Sequence, residues 1–332
     1  MTNILFLVSI FVIPAFISML KLTSRFRWLL VSLSFALISS LRPNVGMDFE
    51  AYESAANNDN TFLELVLYYK EPFSALLVLI GQIFSLQIML FLFSFCYALG
   101  VFFPLMALTK KSFLLYFFAL YLLPMGFMFS FDGIRQAAGI GLLMLALALG
   151  SKRLGALAIF THASTVFILG IFYFSKFKSK ILVGVTIGIL LAIAALYLKL
   201  FFGLIWKYEA SNANQFGGTS ILFVGFIGSV MILLPKIIRI KTNASTTSNL
   251  FGYAMYSGAI LSGASLAFLF PNMLVLRLLY FFVPLGLFGI CMAIENSRIR
   301  GPLRVCFFSV ICASASLYWA TATPRVIVSV FG

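Results

Sequence analysis

The chain consists of long apolar runs separated by short polar segments. Crossing a bilayer takes about 20 apolar residues in a helix, and most of the runs approach that length. Because a backbone in lipid must satisfy its own hydrogen bonds, the apolar runs predict an all-α polytopic integral membrane protein with about ten transmembrane helices. The predicted transmembrane helices lie at residues 3–20, 28–41, 87–108, 113–131, 134–150, 181–200, 220–235, 249–270, 276–294 and 303–320.

Two further apolar stretches are predicted not to cross. Residues 72–84, "PFSALLVLIGQIF", are too few for a full span and predict a short helix at the outer face. Residues 154–174 are long enough to span the membrane, but basic clusters flank both ends and would place both ends on the cytoplasmic side. We therefore predict a broken or re-entrant helix that bends near "THAS". The polar side chains that could satisfy backbone groups freed at the break are Thr161, His162, Ser164 and Thr165.

Composition and charge support this class. Hydrophobic residues make up 62% of the chain and charged residues 10%, whereas soluble domains carry about 25% charged residues. The net charge of +14 does not indicate nucleic-acid binding, because the basic residues cluster between apolar runs, as in cytoplasmic loops of membrane proteins. The clusters are Lys21/Arg25/Arg27, Lys110/Lys111, Lys152/Arg153, Lys176/Lys178/Lys180, Lys236/Arg239/Lys241 and Arg298/Arg300/Arg304.

Because the basic clusters mark the cytoplasmic side, the remaining loops and both termini are predicted to face outward. Most acidic residues lie in these outward loops, which is consistent with this orientation but does not determine it. The outer loops are 42–71 and 201–218, and both belong to a single membrane domain over 1–332. The first apolar run has no basic segment before it and is interpreted as a retained helix and not a cleaved signal peptide.

Two arginines are candidates for binding an anion. Arg135 follows Asp132 and precedes Gln136 in "FDGIRQAAG", where its charge adds to the free N–H groups of a helix start. The alternatives are snorkelling to the interface or pairing with Asp132. Arg277 lies inside an apolar run with Tyr280 on the same helix face, where the alternative is a structural ion pair.

Candidates for proton transfer lie in two other segments. His162 is the only histidine and lies at the predicted break, where it is either a general base or a structural residue. Asp48 and Tyr52 are spaced i, i+4 in the loop that Arg42 begins, and the alternative is an ordinary solvated loop. Glu71 precedes Pro72 at a helix start, which favours a purely structural role for this acid.

No motif for a nucleotide, metal or redox cofactor is present, so neither a cofactor nor a metal site is predicted. The cysteines lack metal-ligand spacing and are interpreted as small buried side chains. They are Cys96, Cys291, Cys306 and Cys312.

Five segments, in this order, resemble motifs of the bacterial polysaccharide polymerases of the EpsG/Wzy type, which include the O-antigen polymerases. They are "RPNVGMDFEAY", "KEPFSALLVLI", "GIRQAAGIGLLMLAL", "FTHASTVFIL" and "RLLYFFVP", and they extend over residues 42–284. The chain departs from the family pattern at Met47, where a polar residue is common, and at Gly139, in a usually Ala-rich stretch.

The resemblance implies a multi-pass, glycosyltransferase-C-like enzyme of the bacterial inner membrane with a periplasmic active face. Such enzymes transfer a growing glycan from undecaprenyl pyrophosphate onto the non-reducing end of a new lipid-linked repeat unit, as in lipopolysaccharide O-antigen biosynthesis. The implied partners are these lipid-linked oligosaccharides, membrane lipid, a chain-length regulator and a flippase.

Roles for the candidate residues follow from this chemistry. A pyrophosphate leaving group is already anionic and needs cations, which Arg135, Arg277 and Arg42 could supply. Asp48 or His162 could accept the proton of the acceptor hydroxyl, and the sequence does not decide between them. The side chains expected to position substrate are Tyr52, Gln136, Tyr280 and Glu71.

Two other functions use similar substrates. A flippase of lipid-linked oligosaccharide predicts basic residues through both leaflets and usually an internal repeat, and the sequence has no visible repeat. A membrane sugar O-acyltransferase predicts a histidine beside a carboxylate, and His162 has no carboxylate next to it in the sequence.

Overall fold

The computed structural model describes residues 2–42, 48–122, 133–173, 180–202, 218–238, 246–264 and 281–321. Every regular element within these ranges is helical, so the predicted all-α fold is confirmed there. The helices are α1 (Thr2–Met19), α2 (Ser24–Ser40), α3 (Phe49–Asn57), α4 (Phe62–Tyr69), α5 (Pro72–Ile83), α6 (Leu86–Val101), α7 (Lys110–Leu122), α8 (Ile134–Leu149), α9 (Lys152–Thr161), α10 (Thr165–Tyr173), α11 (Lys180–Phe202), α12 (Gly218–Ile238), α13 (Thr246–Ala264), α14 (Val283–Glu295) and α15 (Arg300–Thr321), with a 3₁₀ helix (Phe103–Met106) after α6.

The two unusual apolar stretches form the predicted elements. The short helix expected over 72–84 is α5, and the broken helix expected over 154–174 is α9 and α10, which are interrupted at residues 162–164. Both elements are confirmed as helices, while their membrane depth stays a prediction.

Among the described residues, no helix combines the length and the apolarity that crossing a bilayer requires.

The described chain divides into two compact units. The first contains the described residues within 1–117 and 124–169, and the second those within 118–123 and 170–327. The single membrane domain predicted over 1–332 stays a prediction.

A close helix pair forms the centre of the first unit. A Cβ at Gly100 of α6 would overlap the backbone of Gly141 in α8, and a Cβ at Gly141 would overlap the backbone of Cys96 and Tyr97. The two helices therefore approach as closely as they do only because both positions are glycine. This contact fixes the middle of α8 against the second half of α6.

Helices α3 to α5 pack as a small layer on α6. The Thr61 hydroxyl and the Glu64 carboxylate form a capping box that begins α4, and α4 ends at Lys70 in the left-handed conformation (φ 57°). Pro72 then begins α5. Apolar side chains from these helices make one core, including Phe49, Tyr52, Leu65, Val78, Met89 and Phe93. The layer holds the segment 49–83 against α6.

The second unit also relies on small residues between helices. A Cβ at Gly184 of α11 would lie 2.6 Å from the Cβ of Ala259 in α13, and one at Gly228 of α12 would lie 2.6 Å from the carbonyl oxygen of Gly258. Tyr256 is buried and its hydroxyl donates a hydrogen bond to the Ile171 carbonyl at 3.0 Å.

Candidate active site

Glu71 occupies the N-cap position of α5, but its side chain makes no capping hydrogen bond. The residue is only 6% exposed. Its carboxylate instead contacts two other segments of the first unit, the beginning of α8 and the turn between α9 and α10. The predicted helix-start position of Glu71 is confirmed, but its carboxylate bonds to other segments of the first unit and not to the end of its own helix.

Arg135 is the first partner of Glu71. Its Nη1 donates to Glu71 Oε2 at 2.8 Å, and the side chain is 29% exposed. The guanidinium carbon also lies 4.5 Å from the centroid of the Tyr69 ring, a cation–π geometry. Within the described residues, Arg135 Nε is buried and has no hydrogen-bond partner. Glu71 therefore holds the guanidinium through Nη1, while the Nε–H donor has no hydrogen-bond partner among the described residues.

The break between α9 and α10 supplies the second partner. The Ala163 amide donates to Glu71 Oε1 at 3.2 Å, and the Ser74 hydroxyl donates to the Thr161 carbonyl at 2.6 Å. Thr165 contributes both its amide, at 3.0 Å, and its hydroxyl, at 2.8 Å, to the His162 carbonyl. Thr165 of the break bonds to a backbone carbonyl of the break, as predicted. Glu71, at the N-cap of α5, and Ser74, in α5, supply further hydrogen bonds to the backbone there.

His162 lies with its ring between Ser164 and Glu71. The Ser164 amide donates to Nδ1 at 3.4 Å, and the Ser164 hydroxyl lies 2.6 Å from the same nitrogen. Because an amide can only donate, Nδ1 is an acceptor and the neutral ring carries its proton on Nε2. Nε2 is 4.0 Å from Glu71 Oε1, so the ring nitrogen that carries the proton lies near the carboxylate without a direct hydrogen bond to it. Its proton-accepting nitrogen is already engaged by Ser164.

Burial raises the pKa of the Glu71 carboxyl above its ordinary value of 4.5. The Arg135 charge and the Ala163 amide lower the pKa, but they do not offset the loss of solvation. A carboxyl of this kind changes its protonation state closer to neutral pH than a solvated glutamate does.

The motif "RPNVGMDFEAY" contains three of the predicted site residues, Arg42, Asp48 and Tyr52. Tyr52 donates its amide to the Asp48 carbonyl at 3.1 Å, so the two residues are one helical turn apart as predicted. Burial raises the pKa of Tyr52 to about 12, and the tyrosine also hydrogen-bonds Arg135. Asp48 is exposed at the start of α3. Arg42 is 5% exposed, and its guanidinium carbon lies 5.6 Å from the Phe49 ring centroid.

The remaining candidates divide into two groups. Gln136 is half-buried in the first turn of α8, beside Arg135. Arg277, Tyr280 and Asp132 lie outside the described residues, so their expected roles and pairings stay predictions.

Three site residues were missed in the sequence. Tyr69 belongs to none of the five motifs, and Ser74 lies in "KEPFSALLVLI" without a predicted chemical role, although both lie within a few residues of Glu71. Gly139 attracted attention only as a departure from a family pattern. A Cβ there would lie 3.0 Å from the His162 Cβ and 3.1 Å from the Thr165 Cγ2. The missing Cβ at Gly139 therefore lets His162 and Thr165 pack against α8. No local sequence pattern indicates this contact.

No group of three or more His, Cys, Asp or Glu side chains among the described residues has an arrangement suited to a metal ion.

In its described ranges the chain is all-helical, and an acid, an arginine and a histidine from separate motifs meet beside a broken helix. The family model of the EpsG family matches residues 25–326, and the chain belongs to that family. The resemblance noted in the sequence is thereby confirmed. Membership supports a role in polysaccharide biosynthesis as a glycosyltransferase-like polymerase. Searches of curated proteins and of solved structures found no significant match.

Proposed function

We propose that the chain is a membrane polysaccharide polymerase of the periplasmic face of the bacterial inner membrane. It transfers a growing glycan from undecaprenyl pyrophosphate to the non-reducing end of a new lipid-linked repeat unit. The observation that supports the proposal is the convergence of Glu71, Arg135 and His162, from three separate motifs of the resemblance, within one cluster. The periplasmic setting is supported by the separation of basic from acidic loops along the chain.

Arg135 is proposed to bind the pyrophosphate. A guanidinium has five N–H donors and stays charged at all physiological pH values. Glu71 and Tyr52 engage part of this set, and Nε, which has no hydrogen-bond partner in the described chain, is suited to a phosphate oxygen. Glu71 keeps the guanidinium oriented before substrate arrives. Arg277 and Arg42 are proposed as further cations for the same anion.

In the proposed reaction the acceptor hydroxyl attacks the anomeric carbon of the donor sugar. The bond from that carbon to the pyrophosphate oxygen breaks, and the pyrophosphate leaves with the electron pair. The hydroxyl proton passes to a base. Asp48 and His162 remain candidates, but Ser164 already engages the accepting nitrogen of His162. Glu71, buried and with a raised pKa, joins them as a third candidate.

One observation favours a second function. Glu71 Oε1 lies 4.0 Å from His162 Nε2, so the fold brings a carboxylate near His162 although none is adjacent to it in the sequence. A histidine–acid pair is also what a sugar O-acyltransferase requires. The two functions differ in product, because an acyltransferase variant changes the acyl content of the polysaccharide and leaves its chain length intact.

The test is a gene deletion complemented with variants, followed by electrophoresis of the polysaccharide. We expect the deletion to leave single repeat units, and Arg135→Ala to do the same while being inserted at wild-type levels. Arg153→Ala, an exposed arginine of α9, is the matched control and should restore long chains. Long chains in the deletion strain would refute the proposed function. Long chains with reduced acylation would establish the acyltransferase instead.

A further inference from the structure

A cavity of about 440 Å³ lies between α3 and α4, apart from the Glu71 cluster. All its lining residues come from 51–69. The polar and aromatic ones are Ser54, Asn58, Asn60, Glu64, Tyr68 and Tyr69. Its volume falls within the range of about 300–1,000 Å³ common for small-molecule sites. The segment was predicted only as part of the outer loop 42–71, so the cavity is a feature that the sequence does not indicate.

The lining chemistry selects a class of ligand. Amide, hydroxyl and carboxylate groups can donate to and accept from several hydroxyls at once. The tyrosine rings offer apolar faces, whose negative quadrupole attracts C–H groups. No arginine or lysine lines the cavity, which disfavours a phosphate as its occupant. A sugar ring, with hydroxyls around its rim and C–H groups on its faces, matches both kinds of lining.

Several of these groups are held in place without a ligand. Glu64 Oε2 accepts from the Thr61 amide at 2.7 Å and the Thr61 hydroxyl at 2.8 Å. The rings of Tyr68 and Tyr69 meet edge to face, with centroids 4.9 Å apart. The Gln82 side chain of α5 donates a hydrogen bond to the Ala55 carbonyl at 2.8 Å and connects α3 to α5. A binding surface fixed in this way loses little conformational freedom when it binds.

Tyr69 connects the cavity with the cluster. Its side chain lines the cavity, and the same ring lies 4.5 Å from the Arg135 guanidinium carbon. Asp48, the N-cap residue of α3, precedes the lining residues Ala51 and Ala55 by three and seven positions, which is the spacing of one helix face. A ligand in the cavity therefore contacts the face of α3 that begins at Asp48, and it contacts Tyr69, whose ring contacts Arg135.

From this arrangement we infer that the cavity between α3 and α4 binds a sugar ring of the lipid-linked oligosaccharide. The inference rests on the proposed polymerase function and deepens it. The sugar belongs either to the acceptor or to the donor, since the two have the same chemistry.

The experiment uses the purified full-length protein in lipid vesicles and two probes that separate these sources. One is the repeat-unit oligosaccharide as a methyl glycoside, which lacks pyrophosphate and acts only as acceptor. The other is the lipid-linked repeat unit with the acceptor hydroxyl removed, which acts only as donor. KM and kcat are measured for each probe with the other held saturating.

The variants are Tyr68→Ala and Asn58→Ala, both at exposed positions. Each has a neighbouring control that does not line the cavity, Leu67→Ala and Asn57→Ala. We expect Tyr68→Ala to raise KM for one probe roughly fivefold or more, with kcat nearly unchanged, because a lost ring contact weakens binding by that order. The probe affected identifies the sugar as acceptor or donor. Wild-type KM for both probes in both variants would overturn the inference.

The experiment also distinguishes a wrong polymerase function from a wrong assignment of the cavity as a sugar site. If the wild-type protein forms no polymer, binding of the methyl glycoside is measured by saturation-transfer NMR. Binding that Tyr68→Ala abolishes and Leu67→Ala retains supports the sugar site and rejects the polymerase. Absence of binding, or binding equal in both variants, rejects the sugar site.

Discussion

The Ser74 hydroxyl donates a hydrogen bond of 2.6 Å to the carbonyl of Thr161, the last residue of α9. Both residues are fully buried. A carbonyl at the end of a helix has no partner within that helix, so α5 supplies one and fixes where the break begins.

Ser74→Ala should lower the free energy of unfolding by about 1–3 kcal/mol, since a buried carbonyl would lose its partner. Denaturant unfolding of the protein in detergent measures this. Ser40→Ala is the matched control, because the Ser40 hydroxyl bonds only to the Leu37 carbonyl of its own helix. Equal losses in the two variants would argue against the role given to Ser74.

Gly139→Ala should impair activity more than stability. Alanine favours a helix by about 1 kcal/mol over glycine, but the new Cβ would meet the His162 Cβ at 3.0 Å. The His162 side chain must then shift by a few tenths of an ångström. Because a displacement of about 1 Å can cost about a hundredfold in rate, we expect a smaller but measurable loss of activity. Polymer yield per inserted protein is the measurement.

Gly155→Ala is the control for that change, because its Cβ would meet nothing closer than the Leu169 Cδ1 at 3.6 Å. It should retain activity. Full activity of Gly139→Ala would mean that the position of His162 against α8 does not matter.

The pH dependence should follow Glu71. Its pKa is raised above 4.5 in the folded protein by burial, so the protonated form favours folding. Relative to Glu71→Gln, wild-type stability should be greatest below about pH 4.5 and should decline as pH rises through the raised pKa. Activity should change in the opposite direction, because the ion pair with Arg135 requires the carboxylate.

Unfolding profiles of wild type and Glu71→Gln against pH check the sign for stability, and the polymerisation profile of wild type checks the sign for activity. Glu53→Gln, an exposed acid of α3, is the control and should leave both profiles unchanged. A wild-type activity that rises on acidification below neutral pH would contradict the role of the carboxylate.

Tyr52→Phe should reduce the rate without moving the pH optimum. Tyr52 has its pKa raised to about 12 by burial, so it stays protonated at any pH used for assay and does not act as a base. The variant removes the hydroxyl that hydrogen-bonds Arg135. A shift in the alkaline limb of the rate profile would show that Tyr52 titrates during the reaction.

Local patterns in the sequence were enough to predict several of the helices, but not α3 and α4, which lie within the predicted outer loop 42–71. Run length identified α5 as short, and flanking charge together with "THAS" identified the break between α9 and α10. These features depend on neighbours in the chain, which a single sequence displays directly.

Tertiary pairing could not be predicted in the same way. Asp132 is the nearest acid to Arg135 along the chain, and nothing in the spacing indicates that Glu71 reaches Arg135 and Ala163. The cavity was missed for a similar reason, since it forms only when α3 and α4 fold against each other. The resemblance brought the right motifs together, but it did not specify which atoms meet.

The most direct test of the central claim is polymerisation by the purified protein in vesicles supplied only with the lipid-linked repeat unit. Chain length is followed over time for wild type, Glu71→Gln and Arg135→Ala, with Glu53→Gln and Arg153→Ala as controls. We expect long chains from wild type and both controls, and single repeat units from Glu71→Gln and Arg135→Ala. Long chains from the two cluster variants at the wild-type rate would contradict the assignment of Glu71 and Arg135 to the active site.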